Sequence, residues 1–93
     1  MKRQKFESVW DALEDTQQEA ENMKLRAALM RQLRKHIDAQ GWKQARTAEM
    51  LGVTQPRVSD LLRGKIDRFS LDMLVNMSTA AGLKVSVRIA EPA

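Results

Sequence analysis

Ninety-three residues suffice for one small domain with a single core and leave nothing for a second. With no cysteine, disulfides and thiolate metal sites are excluded. No apolar run approaches the ~20 residues of a membrane span and the N-terminus lacks the apolar stretch of a secretion signal, so a cytoplasmic protein with no membrane contact is expected. The net charge of +4 is sorted along the chain: Lys2, Arg3 and Lys5 come first, residues 7–21 carry six acids and no base, and from residue 22 onward thirteen basic side chains face six acidic ones. The body therefore suits a polyanion. The acidic stretch is either a solvated helix face or a surface for a partner.

In chain order, Phe6, Val9, Trp10 and Leu13 have the spacing of one amphipathic helix, with Ser8 and Asp11 as its start signal. Thr16 followed by Glu19 is a second start with capping-box spacing, and helical pattern then runs to Gln40 before Gly41 stops it. Leu25, Leu29, Leu33 and Ile37 mark the buried stripe of this long helix, flanked by Met23, Ala27 and Met30. Trp42 and Lys43 bridge to the next segment.

Gln44 to Arg63, QARTAEMLGVTQPRVSDLLR, meets the demands of two short helices crossed over a tight turn. Such helices approach closely, and a small residue, Ala48, stands where they meet. Gly52 supplies positive φ at the turn. Val53 plugs the corner, Thr54 is placed as an N-cap, and Pro56 falls in the first turn of the second helix, where its missing N–H is harmless. Leu51, Val58 and Leu61, with Leu62 beside them, form the common inner side, and Gly64 ends the helix. Lys65 to Arg68 then form a loop, Ser70 caps a last helix over Leu71 to Ala81 closed by Gly82, and Leu71, Leu74 and Val75 face inward with Met77 or Ser78. In LKVSVRIA, Leu83, Val85, Val87 and Ile89 alternate with Lys84, Ser86, Arg88 and Ala90, the period of a half-buried strand. A lone strand leaves its edges unpaired, so its partner is the same strand of a second subunit or another protein.

The Gln44–Arg63 arrangement resembles the helix-turn-helix of the Cro/CI repressor family, also called XRE-like, whose second helix lies in the major groove. Thr47 departs mildly from the small apolar residue more usual there. The expected fold is thus all-α: a five-helix Cro/CI-like domain with an N-terminal helical extension and a short C-terminal β-strand. Residues 1–22 make the acidic extension, 23–82 the DNA-binding domain and 83–93 the dimerisation element.

On this reading the recognition helix exposes Gln55, Pro56, Arg57, Ser59, Asp60 and Arg63. Gln55 is placed for bidentate contact with adenine and Arg57 with guanine, while Pro56 offers apolar contact to a thymine methyl. Ser59 is a weaker base contact. Asp60 either accepts from a cytosine amino group or serves as an intrahelical partner for Arg57 or Arg63. Lys43, Arg46, Lys65 and Arg68 are backbone contacts by charge and position, with Arg63 at the helix end. The resemblance adds Gln44 as a phosphate contact and supports Lys65 in gripping the backbone. One monomer reads too few base pairs to find a genomic site, so a homodimer on a palindromic operator is expected.

No enzyme is expected. His36 has only Asp38 as a nearby carboxylate, the chain has no cysteine or tyrosine and no glycine-rich phosphate loop, and the acidic residues are irregularly spaced. His36 is read as a surface or boundary side chain, with no cofactor and no metal. Over nearly the whole chain, the segments F-x-x-V-W-x-A-L, T-x-x-E-A-E-N-M-K-L-R, GVTQPRVSDLLRGKIDRFSLDML and V-x-V-R-I resemble the small XRE-like proteins of the HigA antitoxin type. That resemblance implies an operon-repressing antitoxin with a small basic toxin as partner, the acidic helix being the place for it. The alternatives are a stand-alone or phage-related repressor without a toxin, and a structural or RNA-binding module. The last lacks the aromatic surface that single-stranded binding uses.

Overall fold

The computed structural model of the protein describes residues 9–92, with side chains from Thr16 onward. Helix α1 (Val9–Gln40) is followed by α2 (Gln44–Leu51), α3 (Gln55–Leu62), a 3-10 turn (Ile66–Arg68) and α4 (Leu71–Ala80). Among the described residues there are therefore four α-helices and no strand, not five helices and a strand.

The difference at the N-terminal side is one of continuity. Helix α1 passes through Thr16 without a break and runs 32 residues, about 48 Å at ~1.5 Å per residue. This matches the 49 Å long axis of the molecule. The Thr16/Glu19 spacing is a start signal only if the preceding segment ends, and no Gly or Pro lies between Val9 and Gln40 to end it. Phe6 and the expected cap at Ser8 lie outside the described residues.

Only the C-terminal part of α1 reaches the core. Met30, Leu33 and Ile37 are buried with Leu51 of α2, Leu61 of α3, Phe69, Leu74 and Met77 of α4, and Ala81. Leu29, Trp42, Met50, Val53, Leu62, Ile66, Met73 and Leu83 pack around this cluster. Leu25, expected in the buried stripe, is 56% exposed, and Met23 is exposed as well. The stripe has the right period, but the shorter helices end before they can cover its first turn.

The chain's four glycines end the four helices of the described residues. Gly41, Gly52, Gly64 and Gly82 all have positive φ. At Gly52 the N–H donates to Glu49 O (3.4 Å) and Val53 N–H donates to Ala48 O (3.0 Å), the paired bonds of a Schellman close, which leave the next residue free to turn into α3. Ser70 caps α4 by accepting from Met73 N–H (3.1 Å). The expected loop at 65–68 tightens into the 3-10 turn, with Phe69 N–H donating to Ile66 O (3.1 Å). His36 is half-buried at the boundary between α1 and α4. Its Nε2 lies 3.0 Å from Ala81 O, and its ring meets Trp42 edge-on at 5.8 Å.

The tail after Gly82 is extended without a ladder. Leu83 N–H donates to Ser78 O (2.9 Å), and no backbone-to-backbone bond follows among the described residues. Leu83 and Val85 are half-buried, whereas Val87 is 81% and Ile89 93% exposed. The expected strand is absent here for a physical reason: alternation marks a chain able to pair, but a strand exists only with a second strand beside it.

Candidate nucleic-acid interface

Helices α2 and α3 are held as a crossed pair from several points. Ala48 is buried, Val58 and Leu61 are fully so, and Val53 fills the corner. Thr47 is fully buried too, its hydroxyl donating to Lys43 O (2.9 Å), so the departure from an apolar residue leaves no unsatisfied group. The Thr54 hydroxyl accepts from Arg57 N–H (3.4 Å) at the start of α3, and Pro56 lies in that first turn. The Gln44 side chain spans the two helix starts, donating from Nε2 to Gln55 O (3.0 Å).

These contacts leave the N-terminal end of α3 projecting. Gln55 and Pro56 are exposed there, with Lys43, Gln44 and Arg46 exposed at the start of α2 and Arg63 at the far end of α3. Arg46 pairs with Glu49 (2.8 Å) on the surface, a link that water weakens and that phosphate can replace. Ser59 is half-buried.

Arg57 and Asp60 are turned toward the 3-10 turn instead of straight outward. Arg57 donates from Nη1 to Arg68 O (3.0 Å), and its guanidinium carbon lies 5.4 Å from the centre of the Phe69 ring. The Asp60 carboxylate, only 18% exposed, pairs with Arg68 (3.3 Å) and with Lys65 (4.0 Å). Its partners are thus beyond the helix and not the intrahelical Arg57 or Arg63. Arg57, Asp60 and Arg68 line, with Thr54 and Pro56, a shallow polar hollow between α3 and the turn.

Two residues of this region escaped the sequence reading. Phe69 is buried at 1% exposure. It stands directly before the Ser70 cap and opposite Leu74 in the hydrophobic-staple positions, a pattern visible in the sequence. Arg26 of α1 donates from Nη1 to both Ile66 O (3.4 Å) and Phe69 O (3.3 Å), and from Nε to Asn22 (2.7 Å). No local pattern could have announced contacts across 40 and 43 residues.

Among the described residues no helix is long and apolar enough to cross a membrane, and no group of three His, Asp or Glu side chains is placed to hold a metal ion. The model of a helix-turn-helix domain family matches residues 12–90. A solved structure of a candidate XRE-family transcriptional regulator superposes with a TM-score of 0.74 at 31% identity, covering 80% of this chain and 83% of that one. No curated protein matches the sequence.

Proposed function

The chain belongs to the XRE-type helix-turn-helix family of DNA-binding transcriptional regulators, and on that premise we propose that it is a dimeric repressor and the antitoxin of a toxin–antitoxin pair. The recognition helix enters the major groove with Gln55 leading the base readout and Pro56 and Ser59 beside it. Lys43, Gln44, Arg46, Arg63, Lys65 and Arg68 grip the phosphates on either side. Leu83, Val85, Val87 and Ile89 pair two copies, which then read the two halves of a palindromic operator.

The observation that carries the antitoxin reading is the solvent-exposed arm of α1. Every described side chain from Thr16 to Leu25 is exposed, although helices of water-soluble domains ordinarily gain their stability by packing one face. The arm carries Glu19 and Glu21, the last two of the six acids of residues 7–21, so the partner that covers it is a basic protein. It lies at the opposite end of α1 from Ile37, the last of its residues in the core.

Affinity capture of the tagged protein from its native cells, from DNase-treated lysate and followed by mass spectrometry, tests the reading. A small basic protein recovered in stoichiometric amount supports it. Recovery of the repressor alone from cells expressing every neighbouring gene turns the reading to a stand-alone repressor, the second function that the same recognition helix serves.

A further inference from the structure

Two arginines converge on the 3-10 turn from different helices. From α1, Arg26 donates to Ile66 O and Phe69 O. From α3, Arg57 donates to Arg68 O while lying over the Phe69 ring. The turn needs such donors. Its own ladder uses Lys65 O and Ile66 O, which accept from Arg68 N–H and Phe69 N–H, whereas Arg68 O and Phe69 O receive no backbone N–H among the described bonds and point to these guanidinium groups. A guanidinium can make both kinds of contact at once, because its donors lie in a plane whose face remains available to a ring.

The residues at the ends of this turn are cations of the DNA-facing surface. Lys65 precedes it, Arg68 ends it, and Asp60 of α3 draws both toward the recognition helix. Five links thus set the turn: one from Arg57 and two through Asp60 on the α3 side, and two from Arg26 on the α1 side. An Arg57 reaching for a guanine would have to give up both its bond to Arg68 O and its seat on Phe69.

We propose that Arg57 is a positioning residue and not a base reader: with Arg26 it clasps the 3-10 turn and fixes where Lys65 and Arg68 meet the phosphates. The proposal rests on the placing of α3 in the major groove. It makes the two arginines one functional unit, although Arg26 belongs to α1 and has no place in the base-reading face.

The test uses a duplex selected by the wild-type full-length protein from a randomised pool, every single-base-pair variant of that duplex, and one unrelated duplex of equal length. Arg57→Ala and Arg26→Ala should each weaken binding to all of them by a common factor of roughly three to ten, the scale of one lost phosphate contact, and reduce the slope of log affinity against log salt by about 1. The order of preference among duplexes should not change. Arg57→Lys, which keeps the charge but loses the planar group, should behave as Arg57→Ala does.

A loss confined to one base pair in Arg57→Ala, or wild-type binding to every duplex in Arg26→Ala, overturns the proposal. Circular dichroism accompanies each variant. Should Arg57→Ala unfold, Arg57→Lys decides by the same criterion, since its aliphatic stem still covers Phe69. Failure of the wild-type protein to select any duplex would instead overturn the groove placement of α3, a result distinct from either outcome for Arg57.

Discussion

Thr47 is a polar residue at a fully buried position, which ordinarily destabilises a core unless the group is bonded. Its hydroxyl donates to Lys43 O at 2.9 Å, yet that carbonyl already accepts Thr47 N–H at 2.8 Å. Removing the hydroxyl therefore leaves no orphaned acceptor, and the site needs the shape of the side chain more than its polarity. Thr47→Val should alter unfolding free energy by no more than about 1 kcal/mol, the scale of one ordinary hydrogen bond. Thr47→Ala, which also opens a void beneath the α2–α3 crossing, should lose more. Urea melts of the two variants decide it, and a large loss in Thr47→Val would mean that the hydroxyl is essential to the crossing. Gln55 has the opposite character, being exposed, with its backbone carbonyl accepting from Gln44. Gln55→Ala should leave the melt unchanged and relax preference at one operator base pair, with a loss of roughly 1–3 kcal/mol against the preferred base.

At the level of elements, the turn between α2 and α3 depends on Gly52. A Cβ built there meets nothing within 4 Å, but φ is +69°. Gly52→Ala thus isolates backbone strain from crowding, and should destabilise the domain by roughly 1–2 kcal/mol, the penalty of the left-handed region for a residue with a Cβ; a thermal melt measures it. All four glycine stops, the Thr54 and Ser70 caps and the inner side of the motif are legible in the sequence because each is a local requirement on one or two residues. The readings that fail depend on more than the residues that carry the signal. Leu25 has the periodicity of a core residue, but its burial is decided by where α4 and the turn end. Thr16 has the form of a cap, and only an interruption before it would have made it one. In the site, the sequence places Gln55 and Pro56 at the projecting end of α3, whereas the inward turn of Arg57 and the pairing of Asp60 with Lys65 and Arg68 follow from the position of the 3-10 turn, which no local spacing encodes.

Across the whole molecule the tail beyond Val85 is the stretch least tied to the other described residues, with no backbone-to-backbone bond among them. Val87 and Ile89 are almost fully exposed, and beside them Leu25, Leu29, Leu71, Val75 and Val85 line an apolar groove between α1 and α4. Charge narrows the register in which two copies of residues 83–91 can pair antiparallel. Centred on Ser86, Lys84 would stand opposite Arg88, and like charges directly across a ladder repel. Centred on Val87, Val85 stands opposite Ile89, Lys84 opposite Ala90 and Arg88 opposite Ser86, with no like-charged pair. Because the chain has no cysteine, single substitutions report this register directly. Val87→Cys should form an intermolecular disulfide under mild oxidation faster than Ser86→Cys, since only residues opposite their own copies bring the two sulfurs within bonding distance. Deletion of residues 83–93 should give a monomer by sedimentation, with weakened binding to a two-site operator. A truncated protein that still sediments as a dimer would move the interface away from the tail, and faster cross-linking at Ser86 would shift the register despite its paired cations.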